Sequence, residues 1–166
     1  MDHDAVIQTP VGRLGIRCDG GKLLSAIDYL SDTTPLCAPR HDLSAEVARQ
    51  LRCYFDDPAF RFDLPLAELG TPFQRRVWSA LLEIPCGETR SYGEIAQALA
   101  SGARAVGGAC ARNPLIIVVP CHRVVPAGGG LGGYGGSTRG AEVDIKAWLL
   151  RHEARDARAC IHRAHK

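Results

Sequence analysis

The sequence predicts an α+β fold in two parts, and three observations support it. Residues 5–30 contain short β-prone runs separated by turns, and residues 42–55 have the apolar spacing of a helix. From residue 70 onward the pattern changes to short helices with capping signals. We therefore expect an N-terminal α+β domain over residues 1–69, a mainly helical domain over residues 70–153 and a charged tail over residues 154–166.

The composition is that of an ordinary globular protein. Hydrophobic residues make up 46% and charged residues 23% of the 166 positions, and no apolar stretch is long enough to cross a membrane. The N-terminus is acidic and no apolar run follows it, so it does not have the pattern of a signal peptide. The net charge of +2 is compatible with a nucleic-acid partner but does not by itself indicate one.

Seven cysteines are scattered along the chain without a Cys-x-x-Cys pair. The odd number and the scatter argue against a disulfide framework and favour a reducing compartment, so we expect a cytoplasmic protein. Cys18, Cys37 and His41 offer a conceivable zinc site, but their spacing matches no compact zinc pattern. The sequence therefore predicts no metal and no cofactor.

The N-terminal elements follow from local patterns. A hairpin turn at Asp19-Gly20-Gly21 separates strands over residues 14–18 and 23–30. Residues 42–55 have one apolar face, which indicates a helix, and alternation over residues 60–66 indicates a half-buried strand. None of these elements contains a catalytic pattern.

The second half begins with two helix-start signals. Thr71 with Gln74 forms one capping box and Ser91 with Glu94 forms another, so a helix should begin at each. A glycine-containing break at residues 101–102 interrupts the second helix before a helical pattern resumes. Two short helices joined in this way are typical of a helix-turn-helix.

The helix predicted over residues 103–112 consists almost wholly of Ala, Gly, Val and Arg. Gly107 and Gly108 each cost about 1 kcal/mol of helix stability relative to alanine. Either a partner approaches the backbone of this helix closely, or the helix is packed tightly inside the protein. The sequence leaves both interpretations open.

The pattern Pro120-Cys121-His122-Arg123-Val124 carries the strongest chemical signal. It follows an apolar run over residues 115–119, which we expect to form a buried strand. The thiolate is the nucleophilic form of cysteine, and nearby cationic or basic groups favour it. Cys121 is therefore a candidate nucleophile, and a buried structural cysteine is the alternative.

Two features follow this cysteine. Residues 128–136 are nearly all glycine, which indicates a mobile loop or one that wraps a ligand with backbone groups, although no phosphate-loop motif follows. A last helix is predicted over residues 142–152, and Glu153 closes it. We expect the tail from Ala154 to be poorly ordered.

Taken together, these patterns resemble the O6-alkylguanine-DNA alkyltransferase family, the methylated-DNA–protein-cysteine methyltransferases. The resemblance runs from about Gly70 to Glu153, and Pro-Cys-His-Arg-Val is its most specific part. The matching phrases are Gly70-Thr71-Pro72-Phe73-Gln74, Ile84-Pro85, Gly87-Glu88-Thr89, Ser91-Tyr92, Arg104-Ala105-Val106-Gly107, Asn113-Pro114, Ile117 to Val124, Gly133-Tyr134-Gly135-Gly136 and Leu149-Leu150.

The resemblance implies a small N-terminal ribonuclease H-like α/β domain followed by a mainly helical, winged helix-turn-helix-like domain. It implies a monomeric DNA repair protein that acts on double-stranded DNA containing alkylated guanine and needs no cofactor. The damaged nucleotide would be rotated out of the stack. Cys121 would then accept the alkyl group of O6-alkylguanine irreversibly, once per molecule, with O4-alkylthymine left open as a second substrate.

The resemblance also implies roles for individual residues. His122, held by Glu153, would activate Cys121 through a bridging water, because neighbouring residues on a strand point to opposite faces. Tyr92 would donate a proton to the leaving guanine, and Asn113 would brace the site. The expected DNA contacts are Tyr92, Ala103, Arg104, Ala105, Gly107 and Arg112, with Arg104 inserted where the base was. The expected pocket residues are Val124, Tyr134 and Gly135.

Two segments differ in length from the family pattern. The segment between Tyr92 and Arg104 is shorter, and the segment between Tyr134 and Lys146 is longer by roughly residues 137–141. Two other functions remain as alternatives. A cysteine hydrolase or acyltransferase would also use Cys, His and Glu but would turn over, and a pure DNA-binding protein would not need the cysteine.

Overall fold

The computed structural model describes residues 2–164, and it describes side chains for residues 2–155. The chain forms two compact units, one of residues 2–69 with Pro114–Val118 and one of Gly70–Asn113 with residues 119–164. The fold is mixed α and β, as the sequence predicts. Within the described residues the elements are β1 (Ala5–Thr9), β2 (Gly12–Asp19), β3 (Leu23–Leu30), α1 (Asp42–Asp56), α2 (Pro72–Leu82), β4 (Arg90–Ser91), α3 (Tyr92–Ala98), α4 (Ala103–Ala111), a 3-10 turn (Cys121–Arg123), β5 (Val124–Val125) and α5 (Ala141–Ala164).

The N-terminal unit is built on an antiparallel sheet in the order β1-β2-β3. The predicted hairpin between β2 and β3 is confirmed. Gly20 and Gly21 both have positive φ angles, 54° and 68°, as a turn of mirror-image type requires. The buried residues Val47, Leu51 and Tyr54 of α1 complete the core of this unit.

The half-buried strand predicted over residues 60–66 does not form. Within this segment only Leu66 makes a bridge, to Leu24, and Pro65 beside it has no N–H to donate. Phe62 instead packs against Tyr54, with ring centroids 5.5 Å apart. The alternating aromatic residues of this segment are therefore half-buried against α1 without forming a strand.

The apolar run over residues 115–119 is buried but is not a strand either. Leu115 makes one bridge to Ile27, and the chain then turns, with Val118 N donating to Ile116 O over 2.8 Å. Ile117 has a φ angle of 72°, which is uncommon and costly for a β-branched residue. The apolar run predicted a strand here because such runs are buried. In the structure the same buried residues form a turn that leads directly into Pro120 and Cys121.

The two predicted capping boxes are confirmed. Thr71 and Gln74 exchange hydrogen bonds at the start of α2, and Ser91 and Glu94 do so at the start of α3. Trp78 of α2 donates its indole N–H to Ala109 O of α4 over 2.9 Å, which fastens the two helices together.

The helix α5 extends far beyond its predicted end. It continues to Ala164, where a poorly ordered tail from Ala154 was expected, and this prediction is wrong for residues 154–164. The segment is rich in alanine and arginine, which have high helix propensity. Residues 165–166 lie outside the described residues. Among the described helices, none is long and apolar enough to span a membrane.

Candidate active site

Cys121 lies in a single turn of 3-10 helix, Cys121–Arg123, directly after Pro120. The sequence predicted a strand up to this point. That prediction is wrong, because residues 115–119 form a turn and Cys121 follows in a 3-10 helix. The Cys121 N–H donates to Val119 O over 2.8 Å. The residue is 4% exposed, so its thiol meets solvent only through a small opening.

Asn113 orients the thiol. Its Nδ2 donates to Cys121 Sγ over 3.2 Å and to Val119 O over 2.8 Å, so the same amide nitrogen contacts the thiol and the neighbouring backbone. Burial raises the pKa of Cys121, while the hydrogen bond from Asn113 and the charge of Lys146 partly oppose that rise. The resting group is therefore a thiol that needs a base, and Asn113 stabilises the thiolate once it forms.

The predicted partner of His122 is in place. His122 Nε2 lies 2.7 Å from Glu153 Oε1, and both side chains are almost completely buried. Arg123 donates from Nε to Glu153 Oε2 and from Nη2 to Oε1, each over 2.9 Å. Burial disfavours the Glu153 carboxylate, but the hydrogen bonds from His122 and Arg123 and the charge of Arg123 outweigh that and hold its pKa well below the usual range.

This arrangement leaves one ring nitrogen of His122 available. Burial lowers the pKa of His122, although Glu153 opposes the shift, so the ring is neutral. With Nε2–H directed at Glu153, the lone pair is on Nδ1. Nδ1 is buried and has no hydrogen-bond partner within the described part of the chain. A base held by a carboxylate and open at its other nitrogen is the orienter–base half of a catalytic triad.

Cys121 opens into a cavity of about 370 Å³. Part of the lining is the small-residue face of α4, and another part is the end of the glycine run with the two residues that follow it. Burial raises the pKa of Tyr92 to about 12, so its hydroxyl stays protonated and can donate. The lining residues are Tyr92, Ala103, Gly107, Cys110, Ala111, Cys121, Gly133, Tyr134, Gly135, Gly136, Ser137 and Thr138.

The geometry of α4 separates the two interpretations of its glycines. A Cβ on Gly108 would meet no atom within 4 Å, and one on Gly107 would meet only the Tyr92 ring, at 3.9 Å. Internal packing therefore does not require glycine at either position. Arg104, Ala105 and Arg112 are exposed on the same helix or at its C-cap. The helix presents a smooth, cationic face on which another molecule can approach the backbone.

Lys146 is a site residue that the sequence reasoning missed. It is fully buried on α5, and its Nζ donates to Val124 O over 2.7 Å and to Gly133 O over 3.0 Å. Burial lowers its pKa. It shares the buried stripe of α5 with Leu149 and Glu153, at spacings of three and seven, so helical periodicity could have identified it.

Lys146 also explains the position of Val124, a predicted pocket residue. Val124 is fully buried, is not among the residues that line the cavity, and its carbonyl is bonded to the ammonium. Cys110, a second buried thiol, does line the cavity and was not predicted. Burial, and then the neighbouring Cys121, raise the pKa of Cys110 to about 12, so it is a poor nucleophile beside the oriented Cys121.

The zinc set considered from the sequence is not assembled as proposed. Cys18 and His41 lie together with Asp4, their ligand atoms within 4.8 Å of one another, and Cys37 is outside this group. His41 Nδ1 accepts the N–H of Ser44 as the cap of α1. That bond places the ring proton on Nε2, the nitrogen that faces Asp4, and so opposes metal binding there.

The fold and the site together define a class of protein. A buried cysteine is oriented by an amide, a neutral imidazole beside it is held by a carboxylate, and the cavity is bordered by a helix with an open, small-residue face. Such an arrangement is typical of proteins that use a cysteine thiol as a nucleophile.

Comparison with known proteins gives the family. The 6-O-methylguanine DNA methyltransferase DNA-binding domain matches residues 72–155. A methylated-DNA–protein-cysteine methyltransferase of Methanosarcina mazei is 51% identical over 114 residues, 68% of this chain and 69% of that protein. The O6-methylguanine methyltransferase of Mycobacterium tuberculosis has a TM-score of 0.78 at 40% identity, covering 93% and 94% of the two chains. An OGT from the same organism in complex with DNA has a TM-score of 0.76 at 43% identity, covering 90% of this chain and 91% of that one. The chain belongs to the methylated-DNA–protein-cysteine methyltransferase family.

Proposed function

We propose that this protein repairs O6-alkylguanine in DNA by transferring the alkyl group irreversibly to its own Cys121. Family membership supplies the class of reaction, and one observation supports the choice of cysteine. Cys121 is the cavity-lining thiol that accepts a side-chain hydrogen bond, from Asn113, and it is adjacent in sequence to the His122–Glu153 pair.

In the proposed step, Cys121 Sγ attacks the alkyl carbon while the bond from that carbon to guanine O6 breaks. The thiol proton passes to His122 Nδ1 through a water, since no hydrogen bond joins the two side chains among the described residues. Glu153 stabilises the imidazolium that results. The Tyr92 hydroxyl donates the proton that the departing guanine needs. The product is a thioether, which offers no route back to the thiol, so each molecule acts once.

The open face of α4 supports a DNA-binding role for this helix. We assign α3 and α4 to a helix-turn-helix, with the small residues Ala103, Ala105 and Gly107 facing the minor groove and Arg112 near the backbone. Arg104 inserts where the extruded base was, because a side chain must stabilise the gap in the stack. Tyr134 and Gly135 hold the extruded base.

The remaining parts of this proposal concern organisation. We assign residues 1–69 to a ribonuclease H-like domain and residues 70–153 to a winged helix-turn-helix-like domain that carries the reaction. Action as a monomer, in the cytoplasm, on double-stranded DNA stays a prediction, as does O4-alkylthymine as a second substrate.

The test is the mass of the intact protein after incubation with a duplex that contains one O6-methylguanine. We expect one added methylene, on the Cys121 peptide, with repair limited to one equivalent of protein and none in Cys121→Ala. The other six cysteines serve as internal controls. Multiple turnovers would favour a hydrolase or acyltransferase, and DNA binding without modification would favour a pure binding protein.

A further inference from the structure

Ser137 and Thr138 build part of the cavity wall, and they begin the segment that the family resemblance indicates to be longer than usual. Tyr134 and Ser137 exchange two backbone hydrogen bonds, of 2.7 and 2.9 Å, and so close a tight turn. The two residues between them, Gly135 and Gly136, have φ angles of 58° and 87°, in the left-handed region that glycine tolerates. The chain leaving this turn is directed back across the loop, and Ser137 and Thr138 line the cavity as a result.

The returning segment is seated on a fixed support. A Cβ on Gly133 would lie 2.9 Å from Ser137 O and 3.8 Å from Thr138 Cγ2, so the segment packs directly on that glycine. Gly133 O in turn accepts a hydrogen bond from the buried Lys146 over 3.0 Å. The wall formed by Ser137 and Thr138 is therefore anchored to α5 and is not a free loop.

The part of the lining that comes from α4 has little freedom to adjust to the size of an occupant. Ala103, Gly107 and Ala111 have no side-chain rotamer to change, and Cys110, the fourth lining residue of this helix, is short and buried. Cys121 is buried, whereas Thr138 is exposed and so belongs to the mouth of the cavity. Since the alkyl carbon must touch Cys121 Sγ, the rest of a larger alkyl group has to extend away from it, along the wall that Thr138 completes.

We propose that Thr138 is a specificity-determining residue that sets the upper size of the O6-alkyl group this protein accepts. Its methyl and hydroxyl groups occupy the volume that a bulky substituent such as benzyl would need, while a methyl group remains close to Cys121 and does not reach it. This inference rests on the proposed function. It adds a size limit imposed by a segment that lies outside the family pattern.

The test compares second-order rates for two duplexes that differ only in carrying O6-methylguanine or O6-benzylguanine at the same position. The benzyl-to-methyl ratio cancels effects on DNA binding and folding that the two substrates share. We expect Thr138→Ala to raise the ratio about threefold to tenfold and Thr138→Phe to lower it by a similar factor or more. Thr138→Val, which keeps the shape and loses the hydroxyl, should retain the wild-type ratio.

Arg139→Ala is the matched control, because Arg139 is the next residue in the segment and does not line the cavity. It should leave the ratio within twofold of wild type. An unchanged ratio in both Thr138→Ala and Thr138→Phe would overturn the size limit and leave the proposed function intact. A wild-type protein inert toward both duplexes would overturn the two proposals together.

Discussion

The buried cluster around Glu153 and the exposed helix α4 satisfy their polar and charged groups in opposite ways. Glu153 receives hydrogen bonds from His122 and from Nε and Nη2 of Arg123, and the residue is 1% exposed. α4 begins at Gly102 without a side-chain cap and contains two glycines that internal packing does not need. Every charge of the cluster is paired within the protein, and Nδ1 of His122 is its one buried polar side-chain atom without a described hydrogen-bond partner, whereas the exposed face of the helix is open to another molecule.

The cluster and the helix lower the stability of the fold for different reasons. The cluster requires burial of charge, which is tolerable only because each partner is matched. The helix loses stability because it contains two glycines and has no side-chain cap at its start, and internal packing does not require either glycine. We therefore expect changes in the cluster to affect chemistry and folding, and changes on α4 to affect the encounter with DNA.

The largest effect should come from breaking the cluster. Glu153→Gln and His122→Ala should each slow alkyl transfer on the order of a hundredfold, because the base is either misoriented or absent. If the pair acts as a unit, the double variant should be little slower than the worse single one. The measurement is the single-turnover rate on an O6-methylguanine duplex for all four proteins.

DNA affinity is the control for this prediction, since neither residue lies on α4, and it should survive in each variant. The thiol reactivity of Cys121 as a function of pH gives a second readout, and we expect its apparent pKa to rise in both single variants. Additive losses in the double variant, or an unchanged Cys121 profile, would mean that the relay does not operate here.

Two changes on α4 should separate base extrusion from the encounter with DNA. Arg104→Ala should slow repair in duplex DNA at least about tenfold while weakening binding by much less, because the side chain acts after encounter, at base extrusion. Binding and repair are measured on the same duplex across a range of salt concentrations. Arg112→Ala is the matched comparison, and as a backbone contact it should reduce binding and its salt dependence together. Equal losses of binding and repair in Arg104→Ala would remove its special role.

The features of this comparison that depend on a few neighbouring residues could be predicted from the sequence. The capping boxes of α2 and α3, the hairpin between β2 and β3 and the glycines of α4 are all encoded within a few residues, and the structure has them as predicted. The approach of Glu153 to His122 crosses 31 positions, and only the family resemblance indicated it.

The errors arose where tertiary structure overrides local pattern. Residues 115–119 are apolar enough for a strand, but a turn with Ile117 in the left-handed region replaces it. Lys146 was overlooked because a lysine on a helix is normally solvated, and only the periodicity of the buried stripe of α5 signals otherwise.

Lowering the pH should lower the free energy of unfolding, because His122 and Glu153 both resist protonation in the folded protein. The pKa of His122 is lowered by burial and that of Glu153 by its partners, so the unfolded chain binds more protons than the folded chain at both sites. The free energy of unfolding should therefore fall as pH drops below the unfolded histidine value of about 6.5, and fall further below about 4.3. Urea denaturation at stepped pH measures it, and His122→Ala should flatten the first part of the decline. A wild-type stability that rises on acidification through this range would contradict the assignment.

The smallest effect should come from Gly108→Ala. This substitution tests directly whether the glycines of α4 serve a partner outside the protein and not its internal packing. Because a Cβ at Gly108 would meet no atom within 4 Å, alanine fits without strain and should raise the free energy of unfolding by about 0.5–1 kcal/mol. The same methyl group would stand between α4 and the DNA backbone, so affinity for duplex DNA should fall severalfold although the protein is more stable. Urea denaturation and DNA titration of one variant provide both values. Ala105→Gly is the inverse control on the same exposed helix, and it should lower stability without adding bulk. If Gly108→Ala were more stable and bound DNA as tightly as wild type, the glycine would serve no close approach, and the open face of α4 would need another explanation.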